Sequence, residues 1–334
     1  MTHTVHLHIG EPKSGTTYLQ GVLHENRAEL RERGLLIPGN REQIRASQDA
    51  IRGKADGTMW NELVASLLTS DVPHSLISME TLCRAEGSAV RRAVSALGNA
   101  DVRVYITARD LVRTLPAQWQ QSTQHHKTWS WQEYFGAVVE SRKGHPGFRN
   151  FWSQHDLEAI LRRWSAAVSS DHITVITLPP AGADPEILWR RFSEAIGIAS
   201  GGYRMVNPAN ESLGASSAEL LRRLNVSLGD STINEKKYNT VVRSLLARQI
   251  LAGRRALETK VALPKTAGPW ATREAERIID AVGSSGVKVI GDLSELQPRL
   301  DDLESQVDAA TSEEVVEAAV GALRGLVEEL ARGR

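Results

Sequence analysis

Residues 10–18 read Gly10-Glu11-Pro12-Lys13-Ser14-Gly15-Thr16-Thr17-Tyr18 and follow the short apolar stretch Val5-His6-Leu7-His8-Ile9. A strand, a glycine-bearing loop and a helix start in that order aim backbone N–H groups and a helix N-terminus at one point, which attracts an anion. Gly10 and Gly15 let the backbone pass close to a ligand. Lys13 adds a mobile positive charge, and Thr16 and Thr17 add hydroxyl donors in the first helical turn. The chemistry open to this set is the gripping of a phosphate-like group. Glu11 is out of character here: beside a bound anion its carboxylate must point away or act on a second substrate.

Other residues could join that chemistry. Val102-Arg103-Val104-Tyr105-Ile106-Thr107 is β-rich and runs into Ala108-Arg109-Asp110, so Arg109 sits at a strand end, where a guanidinium can hold phosphate bidentately or pair with Asp110. Glu80 follows the short strand Ser75-Leu76-Ile77-Ser78, where a carboxylate in a partly closed cleft can serve as a base or simply cap a helix. His6 and His8 share one face of the first strand, but no downstream partners at metal spacing accompany them, so they read as strand residues and no metal is expected. His125 and His126 read as solvated or groove-lining. Trp119, Trp129, Trp131, Tyr134, Phe135, Phe148, Phe151 and Trp152 are eight of the chain's 17 aromatic side chains; they could form a packed core, line a pocket or stack on a base.

The loop departs from that of a nucleoside triphosphatase, whose lysine follows the second glycine directly. That position is Thr16, and the lysine lies inside the loop at 13. Pro12-Lys13-Ser14-Gly15-Thr16-Thr17-Tyr18-Leu19-Gln20 closely resembles the 5′-phosphosulfate loop of sulfotransferases that use 3′-phosphoadenosine 5′-phosphosulfate (PAPS). The resemblance covers roughly residues 5–200 and looks like bacterial members of the family, with Phe151-Trp152-Ser153-Gln154-His155-Asp156 and Asn210-Glu211-Ser212-Leu213-Gly214 as further similar segments without an assigned role.

The resemblance implies PAPS as cofactor and 3′-phosphoadenosine 5′-phosphate (PAP) as product. It implies cofactor binding by Pro12, Lys13, Ser14, Gly15, Thr16, Thr17 and Tyr18, with Arg109 on the 3′-phosphate. Lys13 would supply charge near the bridging oxygen, and Glu80, in the chain position of the family's base, would take the acceptor's proton in an in-line transfer to a hydroxyl or amine. Two departures stand out. The serine usual eight residues after the arginine is Ala117, so that contact is lost or moved, to Gln118 or Ser122; and Arg142-Lys143-Gly144-His145-Pro146-Gly147 matches a 3′-phosphate element of the cytosolic enzymes but comes only 33 residues after Arg109 and reads as coincidence. A P-loop kinase or nucleotidase using ATP and a non-catalytic PAP- or PAPS-binding protein are the alternatives.

The elements that must position these groups alternate. The periodicity predicts a helix over 17–33 with Leu19, Val22, Leu23 and Leu30 inside and Gly34 as its stop, a polar loop over 40–57, and helices over 60–68 and 87–97. A strand over 172–178 is followed by a helix announced by Asp184-Pro185-Glu186, with Leu188, Trp189, Phe192 and Ile196 inward. Alternation of this kind means an α/β fold with a mainly parallel sheet, and the resemblance specifies a three-layer sandwich of the P-loop type. Glu11, Glu80 and Arg109 all fall at strand ends, where ligands bind in such sheets. From 201 long amphipathic patterns take over, giving a core over 1–200 and a helical region over 201–334 packed on it. The tail repeats apolar residues at Val316, Val320, Leu323, Val327 and Leu330, which packs on its own domain or forms a homodimer contact.

Composition sets the class. The 334 residues are 41% hydrophobic and 24% charged with a formal net charge of zero, as in ordinary soluble proteins, and that balance speaks against a nucleic-acid binder. Residues 301–334 hold nine acidic and three basic side chains, leaving 37 basic against 31 acidic in the first 300, a mildly positive body that suits an anionic cofactor. The single cysteine, Cys83, fits a reducing, cytoplasmic compartment, and no signal peptide or membrane-spanning stretch is evident. The resemblance implies a small-molecule, glycan or glycolipid acceptor, which the sequence does not specify further.

Overall fold

The computed structural model describes residues 2–52, 57–207, 212–229, 233–304 and 310–333. It is an α/β fold around a six-stranded, wholly parallel sheet in the order β2-β3-β1-β4-β5-β6. The strands are β1 (Thr4–His8), β2 (Leu35–Leu36), β3 (His74–Ser78), β4 (Asp101–Ala108), β5 (Ile173–Thr177) and β6 (Lys288–Ile290). β1, β3, β4 and β5 are buried along most of their length, although polar and apolar residues alternate in β1 and β4. β2 and β6, of two and three residues, give no sequence signal.

The chain leaves β1 toward β2 and leaves the neighbouring β4 toward β5. The ends of β1 and β4 therefore flank the point where the winding reverses, the crevice in which open parallel sheets bind ligands.

The helices are α1 (Thr16–Glu25), α2 (Arg27–Glu32), α3 (Asn40–Arg52), α4 (Thr58–Leu68), α5 (Gly87–Ser95), α6 (Leu111–Gln124), α7 (Trp131–Val139), α8 (Pro146–His155), α9 (Leu157–Ser165), α10 (Glu186–Ile196), α11 (Ala215–Leu228), α12 (Glu235–Tyr238), α13 (Gly268–Ser284) and α14 (Ser312–Ala331). The single helix expected over 17–33 is two. Asn26 divides it: its side chain donates to the Val22 and Arg204 carbonyls, both at 2.8 Å, and accepts from the Arg204 amide. The loop expected over 40–57 is mostly α3; its inward residues are Gln43, Ala46 and Ser47, too polar and small to announce a buried face. Residues 53–56 of that stretch lie outside the described residues.

Two compact units share the chain. One comprises Met1–Asp110, Trp152–Ala209 and Thr272–Gln297 and contains the whole sheet. Its core joins Leu19, Val22, Leu23 and Leu30 to Leu76, Tyr105, Ile176, Leu188, Trp189 and Phe192. The other comprises Leu111–Phe151, Asn210–Ala271 and Pro298–Arg334 and is built from helices, including a π-helical stretch over Asn239–Ile250. Among the described residues no helix is long and apolar enough to cross a membrane.

Candidate anion-binding site

The loop after β1 is stitched to both neighbouring strands. The Glu11 amide donates to the Thr107 carbonyl at 2.8 Å, and the Thr107 amide donates to the Gly10 carbonyl at 2.6 Å. On the other side the Met79 amide donates to His8 O at 2.9 Å and the Cys83 amide to Ile9 O at 3.0 Å. Ser14, fully buried, hydrogen-bonds through Oγ to the Glu11 carbonyl and the Thr107 hydroxyl. These bonds fix the loop before any ligand arrives, which is the preorganisation an anion site needs.

Backbone shape completes it. Gly10 has φ +111, and a Cβ there would lie 3.0 Å from the Glu80 carbonyl oxygen. Gly15 has φ +83, and a Cβ there would meet Leu188 Cδ2 at 2.3 Å. Lys13 is left-handed without being glycine, at φ 64, a conformation that costs about 1 kcal/mol and persists only where the surroundings dictate it. Gly15 caps α1 without a side-chain hydrogen bond, and the first-turn amides of a helix have no acceptor one turn earlier. The helix dipole adds partial positive charge at the same end.

Residues distant in sequence close round this loop. Arg109, just past β4, donates from Nη1 to the Lys13 carbonyl at 3.0 Å. Glu80, just past β3, accepts a hydrogen bond at Oε2 from the Thr16 hydroxyl. Lys13, Arg109 and Glu80 are thus all gathered at the ends of β1, β3 and β4. Pro12, Ser14 and Thr16 are buried there and Thr17 is exposed. Tyr18 lies elsewhere: its ring belongs to the core beneath α1, and its hydroxyl is buried without a hydrogen-bond partner among the described residues.

Glu11 is turned inward. Its carboxyl is buried, 3.7 Å from His155 Nδ1 at the end of α8. Burial, and then the charge of Asp156, pushes its pKa well above the usual carboxylate range. His155 is equally buried; burial, followed by the positive charges of Lys13 and Arg109, pulls it down to about 3. His155 is therefore neutral near pH 7, and burial favours the neutral form of Glu11 as well. The segment containing His155 stood out in the sequence without a role; nothing in the sequence pairs it with Glu11.

The remaining candidates resolve locally. His6 Nδ1 lies 2.8 Å from the Tyr105 hydroxyl and His8 Nδ1 2.8 Å from Ser78 Oγ; burial pulls each down to about 3. They are strand-core residues, and among the described residues no cluster of three metal-ligating side chains exists. In the helical unit, Trp119, Trp131, Tyr134 and Phe151 are buried, with Trp119 and Trp131 centroids 5.6 Å apart and Trp129 stacked on Tyr134 at 5.9 Å. This is core packing. Ala117, Gln118 and Ser122 lie on α6 of that unit, and the Ser122 hydroxyl is buried 2.9 Å from the Gln118 carbonyl and 3.1 Å from Asn150 Oδ1. Arg142 binds Glu140 at the surface. Asn210 and Glu211 lie outside the described residues.

No protein-family model and no curated protein matches the chain. Among solved structures, a sulfotransferase from Alicyclobacillus acidocaldarius is similar over 72% of this chain and 96% of its own, at 13% identity and a TM-score of 0.40. At that level the likeness bears on neither the site nor the reaction.

Proposed function

We propose that the chain is a PAPS-dependent sulfotransferase. The observation that carries this reading is the convergence on one loop of Lys13, Arg109 and Glu80, made through the Arg109–Lys13 and Thr16–Glu80 hydrogen bonds. The loop suits a phosphosulfate: left-handed Lys13 and Gly15, a helix N-terminus, and a Glu11 turned inward, where burial favours its neutral form and weakens its repulsion of an anion.

The cofactor supplies an activated sulfuryl group with PAP as leaving group. The chain's residues divide the rest. The loop amides and the exposed Thr17 bind the 5′-phosphate, and Arg109 binds the 3′-phosphate while bracing the loop. Lys13 lies inside the loop, where its ammonium offsets charge growing on the leaving oxygen. Thr16 spends its hydroxyl proton on Glu80, so its role is to orient the carboxylate. Glu80 accepts the proton of an acceptor hydroxyl or amine as the new bond to sulfur forms and the bond to the 5′-phosphate breaks. Positioning and electrostatics supply most of the acceleration, as in phosphoryl transfer. Thr16 at the position of the triphosphatase lysine disfavours an ATP-using kinase.

Calorimetric titration with PAP, alongside ATP plus Mg²⁺, tests the cofactor class. Tight PAP binding without an ATP signal is expected, and preference for ATP overturns the reading. Turnover with PAPS across phenol, amine, glycan and glycolipid acceptors then separates an enzyme from a non-catalytic PAPS-binding protein.

A further inference from the structure

Helix α14 is apolar on two faces, and among the described residues only one of them is covered. Val315, Ala318 and Ala322 are buried in the helical unit, where Val315 joins Ala215 and Ala310. Gly321 and Gly325 pack close against Arg254 and Ile250: a Cβ on either would approach those side chains to 2.3 and 2.6 Å. The second face consists of Val316, Val320, Leu323, Val327 and Leu330, each 61 to 72% exposed. At about 100° per residue this stripe lies roughly 130° round the helix from the buried face, too far to share the same contact.

The stripe has a specific shape. Its spacing of four, three, four and three residues is the 3.5-residue period of a coiled-coil seam, and such a seam fits another helix of the same period. The five side chains present on the order of 400 Å² of apolar surface, the size at which an exposed patch marks an interaction site. A membrane surface is a poor occupant: the helix carries Glu313, Glu314, Glu317, Glu328 and Glu329 against Arg324 and Arg332, the wrong sign for anionic lipid.

We propose that α14 pairs antiparallel with α14 of a second copy of this chain, across a two-fold axis. This inference is independent of the sulfotransferase reading. Antiparallel pairing sets Val320 against Leu323 and Val316 against Val327, each layer made twice by symmetry. Along one flank Glu317 meets Arg324, also twice, and Arg324 is 81% exposed. Along the other, the half-buried Ala319 and Leu326 meet, small against large. Leu330 closes each end over the stem of Glu313. Parallel pairing instead stacks Glu313 on Glu313 and gives neither Glu317 nor Arg324 an opposite charge.

Sedimentation velocity of the full chain over a concentration series tests this, with circular dichroism to confirm folding. Wild type is expected to show a reversible dimer, and V320E/L323E, which changes only exposed positions, to lose it. R324E is expected to weaken the dimer, and the swap E317R/R324E to restore it although the Arg324–Glu328 pair within the helix stays broken. A wild-type monomer at every concentration, or a V320E/L323E protein that still dimerises, overturns the proposal. A swap that fails to restore association overturns the antiparallel arrangement. Binding to phosphatidylserine vesicles without self-association overturns it in favour of a membrane-lying helix.

Discussion

The loop at residues 10–15 and the turn at residues 142–147 are made of nearly the same parts: each holds a lysine, a proline and two glycines. Their surroundings differ in every respect that matters to an anion. The first hangs between the ends of three central strands, with its Gly10 carbonyl and Glu11 amide bonded to Thr107, the His8 and Ile9 carbonyls just before it bonded to Met79 and Cys83, and its backbone braced by Arg109. Gly144 in the second has no atom of the described residues within 4 Å of an added Cβ, and Arg142 beside it is bound to Glu140. A basic, glycine-bearing segment becomes a site when fixed dipoles and a dry floor hold its charge in place; in water the same charge is screened and mobile.

The sharpest way to break this contrast is to remove one lysine from each. Lys13→Ala is expected to lower PAPS turnover about a thousandfold and to weaken PAP binding, whereas Lys143→Ala leaves both unchanged. Equal effects from the two would put the turn at 142–147 into the site. Glu80→Gln keeps the size and the Thr16 contact but cannot take a proton. Turnover should fall about a hundredfold with PAP affinity intact, and an active variant would remove Glu80 as the base. Next come the glycines. Gly15→Ala meets both a left-handed backbone and the Leu188 side chain, so thermal unfolding should show a loss of about 2 kcal/mol, against no measurable change for Gly144→Ala.

The same contrast explains what the sequence made legible. Gly10 to Thr17 announce a strand–loop–helix turn because the glycines and the helix start fall in one short run, and Arg109 and Glu80 lie beside that loop because they follow neighbouring strands of a parallel sheet. Position along the chain and position in space coincide at strand ends. The partnership of Glu11 with His155 was invisible, since its partners come from the loop after β1 and from α8 and share no local pattern. α3 was missed because it buries glutamine, alanine and serine. In α14 the pattern pointed to the larger residues, yet the helix packs through Val315, Ala318 and Ala322, where Gly321 and Gly325 allow close approach. Small residues on that face leave room for the Arg254 and Ile250 side chains to pack close.

The smallest expected effect concerns the dry floor beneath the first loop. His155 is held down to about 3 when folded and returns to about 6.5 when unfolded, so below pH 6.5 the unfolded chain takes up a proton that the folded chain refuses. Its contribution to stability is complete above pH 6.5 and is lost as pH falls toward 3, at about 1.4 kcal/mol per pH unit. Glu11 runs the other way: its raised folded pKa keeps a proton that the unfolded chain releases above about 4.5, so its contribution is complete below that pH and fades as pH rises. Between pH 6.5 and 5 the two slopes oppose each other. His155→Gln should therefore make Tm fall less steeply with acid than in wild type, by a few degrees over the interval, and Glu11→Gln should make it fall more steeply. The slope is read, not the absolute Tm, because either substitution also changes packing. Parallel slopes in wild type and both variants would mean that the floor of the loop is wet, and the distinction between the two basic segments would then rest on Arg109 and the strand-end amides alone.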